Sequence, residues 1–104
     1  SPLLLFIEDR GSIEYLFTVS QNVFIPSPHV DSAILKITLD KPVDKNLYQV
    51  LQSSFKQRRK TIYNNLKKDY PEILDVLEAC HIHPQTRCEQ LQLEDYRNIT
   101  NLLF

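Results

Sequence analysis

Phe24-Ile25-Pro26-Ser27-Pro28-His29-Val30-Asp31-Ser32-Ala33-Ile34-Leu35-Lys36-Ile37-Thr38-Leu39 is the stretch on which the fold turns. From Val30 to Leu39 it is β-branched and aliphatic, and reads as a strand. Its alternation is imperfect, so both faces of that strand are expected to be covered near the middle. The first part carries Pro26 and Pro28. Each fixes φ, removes a backbone donor and holds the preceding residue extended. A stiff, exposed connection follows. Upstream, Glu14-Tyr15-Leu16-Phe17-Thr18-Val19 is aromatic and β-branched and reads as the partner strand. Two antiparallel strands are marginal alone, so the pair is expected to complete a larger sheet.

Toward the start lies Leu3-Leu4-Leu5-Phe6-Ile7. It is too short to span a bilayer and lacks the basic flank and small-residue cleavage site of a signal peptide. With no initiating Met before it, the stretch reads as an element entering from an upstream domain. Toward the end, Lys41-Pro42 marks a boundary and Asp44 is a plausible N-cap for one long helix running to about Lys68. Leu47, Leu51, Phe55, Ile62 and Leu66 fall on one stripe of that helix. Lys56, Lys60 and Lys67 fall together on roughly the opposite side, with Arg59 beside them, while Arg58 projects into the apolar arc near Leu47 and Leu51. A second helix opens at Asp69-Tyr70-Pro71-Glu72, buries Ile73, Leu74, Leu77 and Cys80, and ends at His81-Ile82-His83-Pro84. A third runs from about Leu93 to Leu103 with Tyr96, Ile99 and Leu103 inward. The expected architecture is α+β, mainly α. Residues 1–40 carry the hairpin and 41–104 form a small domain of about three helices.

Hydrophobic residues make up 42% of the 104 and charged residues 24%, near the averages for folded chains, which excludes wholesale disorder. The net charge of −1 hides a segregation. Residues 41–68 hold eight cations against Asp44 alone, a net +7, between flanks of −3 and −5. Such a block suggests a localised polyanion contact. The one glycine is Gly11, so no glycine-rich loop can cradle phosphates or a dinucleotide. No nucleophile–base pattern stands out, and the chain by itself does not read as an enzyme. Cys80 and Cys88, with His81 and His83, match no common zinc spacing. They read as reduced, partly buried thiols of a cytoplasmic protein, with no metal.

The basic run Lys56-Gln57-Arg58-Arg59-Lys60 is the clearest functional signal. Lysines and an Arg on one surface can meet successive phosphates. Few acids are interleaved to neutralise it. Against that stands an ordinary solvated helix face, and for Arg58 a structural role with its stem packed and its head on a carboxylate. Phe24 could stack on an unpaired base or be a core residue at a strand end. Three classes stay open on residues alone: an RNA-binding element, a helix-turn-helix DNA binder, and a protein-interaction domain for an acidic partner.

Three segments then resemble the ribosomal RNA adenine dimethyltransferases. Phe24 to Ala33 resembles that family's F-x-P-x-P-x-V-D-S-A signature. Phe55-Lys56-Gln57-Arg58-Arg59-Lys60-Thr61, followed by Asn64 and Leu66, resembles F-x-Q-R-R-K-T-x-x-N-x-L. Arg87-Cys88-Glu89-Gln90-Leu91, followed by Tyr96 and Leu103, resembles its R-x-E-x-L segment and final helix. The Val-Asp-Ser-Ala and Gln-Arg-Arg-Lys-Thr forms favour the housekeeping branch over the resistance branch. The resemblance implies that residues 1–40 are the last helix end and last two strands of a Rossmann-like methyltransferase sheet. Residues 41–104 would be a helical rRNA-binding domain. It implies a parent enzyme that moves methyl groups from S-adenosylmethionine to two adjacent adenines of small-subunit (16S) rRNA, with the immature small subunit as partner. The cofactor loop and catalytic motif lie upstream in the family, so this chain is expected to bind no cofactor and to be inactive alone. Phe24, Pro26 and Pro28 would line the target-adenine pocket, where an extruded base needs a π-face. Lys56, Arg59, Lys60, Lys67 and Lys68 would grip rRNA phosphates. Arg58, Asn64, Arg87 and Glu89 would be structural. Glu8-Asp9-Arg10-Gly11 departs from the family, standing where relatives carry an uncharged, Gln- and aromatic-rich stretch. His81 stands at a helix end where relatives often have Gly. His can take the left-handed conformation there at some cost.

Overall fold

The structure, a computed structural model, describes residues 2–104; Ser1, the first residue of the expected sheet segment, lies outside the described residues. Helix α1 (Pro2–Arg10) runs straight into strand β1 (Gly11–Val19), which pairs antiparallel with β2 (Ser32–Leu39). The register places Gly11 opposite Leu39, Glu14 opposite Lys36 and Tyr15 opposite Leu35. It slips by one residue before Phe17 meets Ile34, so Leu16 is an extra residue on the β1 side. Gly11 is needed at the mouth of this pair. A Cβ there would run into the Thr38 carbonyl, 2.7 Å from its carbon, and no side chain fits so close an approach. Arg10 O accepts from both Asp40 N–H (3.0 Å) and Lys41 N–H (2.8 Å), closing the hairpin's base.

The helices follow: α2 (Lys45–Ser54), α3 (Ile62–Leu66), α4 (Ile73–Ala79) and α5 (Leu93–Leu103), with a short 3-10 turn at Cys88–Gln90. Asp44 caps α2, its Oδ1 accepting from Leu47 N–H at 3.1 Å. The expected single helix from Asp44 to about Lys68 is broken in two. Residues 55–60 are irregular, and Thr61 caps the second piece by accepting from Asn64 N–H at 3.2 Å. Four helices therefore stand between 41 and 104 where about three were expected. Helix α4 turns differently from the expected stripe: Val76 is buried and Leu74 is 48% exposed. It closes on His81, which has φ 59°. His81 N–H donates to Glu78 O (3.0 Å) and Ile82 N–H to Leu77 O (2.9 Å). This is the double bond pattern that satisfies the last carbonyls of a helix, with buried Ile82 folding back on it.

One apolar cluster joins these helices, built from Leu47, Val50, Leu51, Phe55, Ile62, Leu66, Ile73, Leu77, Tyr96 and Ile99 among others. Helix α1 packs on its outside. Ile7 is buried, the Phe6 and Tyr48 rings meet at 5.2 Å, and Asp9 pairs with Arg97 at 2.9 Å. The ion pair gives the charged Glu8-Asp9-Arg10 stretch a partner, on α5. The hairpin has no such cover. Ile13, Tyr15, Phe17, Ile34, Leu35 and Ile37 are all exposed, so both faces of the two-stranded sheet are bare. The molecule is accordingly long, 52 × 31 × 20 Å. Its radius of gyration is 17.2 Å, where a compact chain of this length would have about 13 Å.

Candidate nucleic-acid interface

The break between α2 and α3 makes the basic run a loop and not a helix face. Lys56, Arg58, Arg59 and Lys60 are all exposed on it, and Lys67 and Lys68 are exposed in the turn that follows α3. The expected row of Lys56, Lys60 and Lys67 along one helix does not exist. Arg58 does not enter the apolar arc; it stands in the loop with the others.

The loop is held from outside. Asn65, on α3 and 8% exposed, donates through Nδ2 to Ser54 O and to Gln57 O, both at 2.9 Å. Its Oδ1 accepts from Gln57 N–H at 3.2 Å. Lys60 N–H closes a turn onto Gln57 O at 2.9 Å. At the far end Arg87 Nη1 donates to Arg59 O. Thr61 and Arg87 bridge as in a sheet, with Ile62 N–H on Thr86 O at 2.6 Å and Tyr63 N–H on Pro84 O at 3.2 Å. Phe55 anchors the start by turning inward, 5.9 Å from the Tyr96 ring. A loop built this way presents its cations without first having to order its backbone.

Asn64 has an exposed side chain with no hydrogen bond among the described residues, and the holding is done by Asn65, its neighbour. Sequence reasoning passed Asn65 over. An Asn-Asn pair after a Thr cap signals that one of the two faces inward, but not which. Glu89 accepts from the Cys88 thiol at 3.1 Å. That bond, helped by the fields of Arg58 and Arg87, holds its carboxyl below the usual range. Arg58 thus acts on Glu89 through space, while its head makes no ion pair among the described residues. Lys67 lies 5.6 Å from the Tyr63 ring, a cation–π contact.

The second predicted site is the loop between the strands. Phe24 is 43% exposed and Ile25 is 99% exposed. Pro26 is exposed and Pro28 half-buried, and the Ile25–Pro26 peptide is cis. The loop is shaped by residues sequence reasoning did not single out. Ser27 Oγ donates to Gln21 O at 2.7 Å, and Asp31 Oδ1 accepts from Gln21 N–H at 2.9 Å. Both bonds tie Gln21 across the loop, to residues six and ten positions further on. No hydrogen bond or ring contact among the described residues links this loop to residues 55–61.

Other chemistry is sparse. Cys80 and Cys88 are free thiols, and burial, with the Glu89 carboxylate beside it, pushes Cys88 up to about 11. Among the described residues no group of three or more His, Cys, Asp or Glu side chains could hold a metal ion. None of the described helices is long and apolar enough to cross a membrane. Among the described residues there is no glycine-rich loop of the kind that would cradle S-adenosylmethionine. The single glycine, Gly11, has its open side filled by the Thr38 carbonyl and offers no backbone cradle.

Comparison with known proteins agrees over nearly the whole length. The family model for ribosomal RNA adenine dimethylase matches residues 3–104. A ribosomal RNA small subunit methyltransferase A from Chlamydia abortus is 33% identical over 109 residues, and one from Bacillus mycoides 36% over 114. Each match covers 97% of this chain and 39% of the relative, so the chain spans about two fifths of the curated relatives' length. Among solved structures, a dimethyladenosine transferase from Plasmodium falciparum superposes with TM-score 0.70 at 20% identity, over 95% of this chain and 46% of that one. The 23S rRNA methyltransferase ErmE gives 0.67 at 19%, over 99% and 46%. At those identities the likeness is one of fold.

Proposed function

The chain belongs to the ribosomal RNA adenine dimethylase family, and from that premise we propose that it is the RNA-facing, C-terminal portion of a small-subunit rRNA adenine-N6,N6-dimethyltransferase working in ribosome biogenesis. The observation that carries this reading is the pinned loop at residues 55–60, with four exposed cations and no acid within it. Phosphates spaced along a folded RNA are the polyanion such a rigid cluster suits. The immature small ribosomal subunit in the cytoplasm is the proposed partner. Lys56, Arg59 and Lys60 are proposed to grip phosphates, with Lys67 and Lys68 extending the same contact. Phe24 is proposed as the aromatic face for the target adenine, held beside Pro26 and Pro28 by the Ser27 and Asp31 bonds. Methyl transfer from S-adenosylmethionine is assigned to the stretch of the relatives outside the match. Residues 1–40 are proposed to close the catalytic sheet, and 41–104 to form the rRNA-binding domain.

A helix-turn-helix DNA reader is the weaker alternative. Its recognition helix would have to be α3, which at five residues is too short to lay base-reading side chains along a major groove.

Binding to small ribosomal subunits across a salt series tests the reading. The parent chain is expected to bind with steep salt dependence, about 0.7–0.9 in log–log slope for each phosphate neutralised. The Lys56→Glu/Arg59→Glu/Lys60→Glu variant is expected to lose most of both affinity and slope. Equal binding by the two would refute it.

A further inference from the structure

The cations of residues 56–60 need a fixed backbone beneath them as well as their charge. Residues 55–60 form neither helix nor strand, and contain no proline to stiffen them. A segment of that kind with four like charges would spread into many conformations. Two side chains prevent this. Asn65 uses its amide in full view of both ends of the first turn. It donates to Ser54 O and Gln57 O and accepts from Gln57 N–H. Its own cost of burial is met by those bonds. Arg87 comes from a different part of the chain, after α4. It donates to Arg59 O, while its backbone joins Thr61. Arg87 is itself fixed, with its N–H on Gln90 Oε1 at 2.8 Å.

We propose that Asn65 and Arg87 are positioning residues for the phosphate-gripping loop: Asn65 sets its entrance, Arg87 its exit, and together they present Lys56, Arg58, Arg59 and Lys60 as one preformed surface to an RNA backbone. The proposal rests on the rRNA reading above. Neither residue has to touch RNA for it to hold. Their effect is to remove the ordering cost from the binding step. Arg87 suits this place because its planar fork reaches a carbonyl from across the loop while its charge adds to the positive field.

The test uses the full chain and small ribosomal subunits over a salt series, far below the unfolding temperature. The variants are Asn65→Ala, Arg87→Lys and, as charge control, Lys56→Gln/Lys60→Gln. Arg87→Lys keeps the charge and is exposed, so its folding is not in question. Asn65→Ala and Arg87→Lys are each expected to bind about tenfold more weakly at fixed salt, the cost of ordering about one backbone residue. Their salt slope should be that of the parent, because every phosphate contact is still made once bound. The charge control should lose slope. Amide hydrogen exchange provides an independent reading. In Asn65→Ala the Gln57 and Lys60 amides should exchange faster while those of Tyr96 and Ile99 keep their protection. Loss of protection at Tyr96 and Ile99 would mean global unfolding, and Arg87→Lys then decides alone. If the charge control weakens binding but both positioning variants bind like the parent, the proposal fails and the rRNA reading stands. If the charge control also binds like the parent, both fall.

Discussion

His81 holds a left-handed backbone, φ 59°, so that α4 can end in two reversed hydrogen bonds and turn Ile82 inward. An L-residue with a Cβ is strained there by about 1–2 kcal/mol, whereas glycine is not. The imidazole is exposed and makes no hydrogen bond among the described residues. His81→Gly is therefore expected to stabilise the chain. The gain should be about 0.5–1 kcal/mol after allowing for glycine's freer unfolded state, read as a higher urea midpoint. A loss would mean that the His81 side chain contributes contacts that outweigh the strain. Cys88 gives a pH signature instead. Its thiol is wholly buried, and burial, the bond to Glu89 and that carboxylate's charge raise it from 9.0 to about 11. The folded state thus keeps a proton that the unfolded state releases. The contribution is complete below pH 9, and stability falls as pH rises toward 11. The urea midpoint should drop from pH 8 to pH 10.5, and the drop should shrink in Cys88→Ala relative to its own pH 8 value. Tyr96, Cys80 and Tyr70 are shifted in the same direction by burial, so part of the drop persists. A variant with an undiminished drop would clear Cys88 of any part.

Element by element, what the sequence revealed depended on whether the deciding interaction was local. The strands were legible because β-branched and aromatic runs flank a proline-rich segment. Helix α5 was legible over its full length from its apolar spacing. The break after Ser54 was not. Leu47, Leu51, Phe55, Ile62 and Leu66 can all sit on one continuous helical stripe, and no glycine or proline interrupts them. What ends α2 is a pair of carbonyls taken by Asn65 and a Phe55 ring taken by Tyr96, both set by tertiary packing. Two local signals pointed the same way. Lys56 and Lys60 would repel at i,i+4 in a helix, and Thr61 stands three residues before Asn64 as a cap does. The candidate site inherits this history. Its cations were identifiable by charge, while its shape depends on Asn65 and Arg87, whose partners are carbonyls that carry no sequence label. Thr61→Ala distinguishes the two pictures by sign. Inside a continuous helix the exchange would stabilise by a few tenths of a kcal/mol, since alanine is the better helix former. As the cap of α3, Thr61 accepts from Asn64 N–H, and its loss should cost about 1 kcal/mol, measured by urea denaturation with Thr61→Ser as the conservative control.

Across the whole molecule, stability and exposure are unevenly divided. The helices share one buried cluster, and α1 is fastened to it by Leu5, the Phe6–Tyr48 contact and the Asp9–Arg97 pair. The hairpin extends beyond that cluster with apolar residues bare on both faces. A strand buried on both sides inside a larger sheet has this composition; a hairpin meant for water on one face alternates. The division predicts where cooperative unfolding resides. Ile99, fully buried among the helices, should lose about 2–5 kcal/mol on change to alanine. Ile37, paired with Ile13 and 48% exposed on β2, should change by no more than about 0.5 kcal/mol on replacement by threonine, which keeps the β-branched shape. Urea denaturation followed by far-ultraviolet dichroism reads both. Comparable losses at the two positions would mean that the hairpin folds as part of the same unit as the helices. It would then be anchored through α1 strongly enough to need no further sheet, and the proposal that residues 1–40 close a larger one would lose its physical basis.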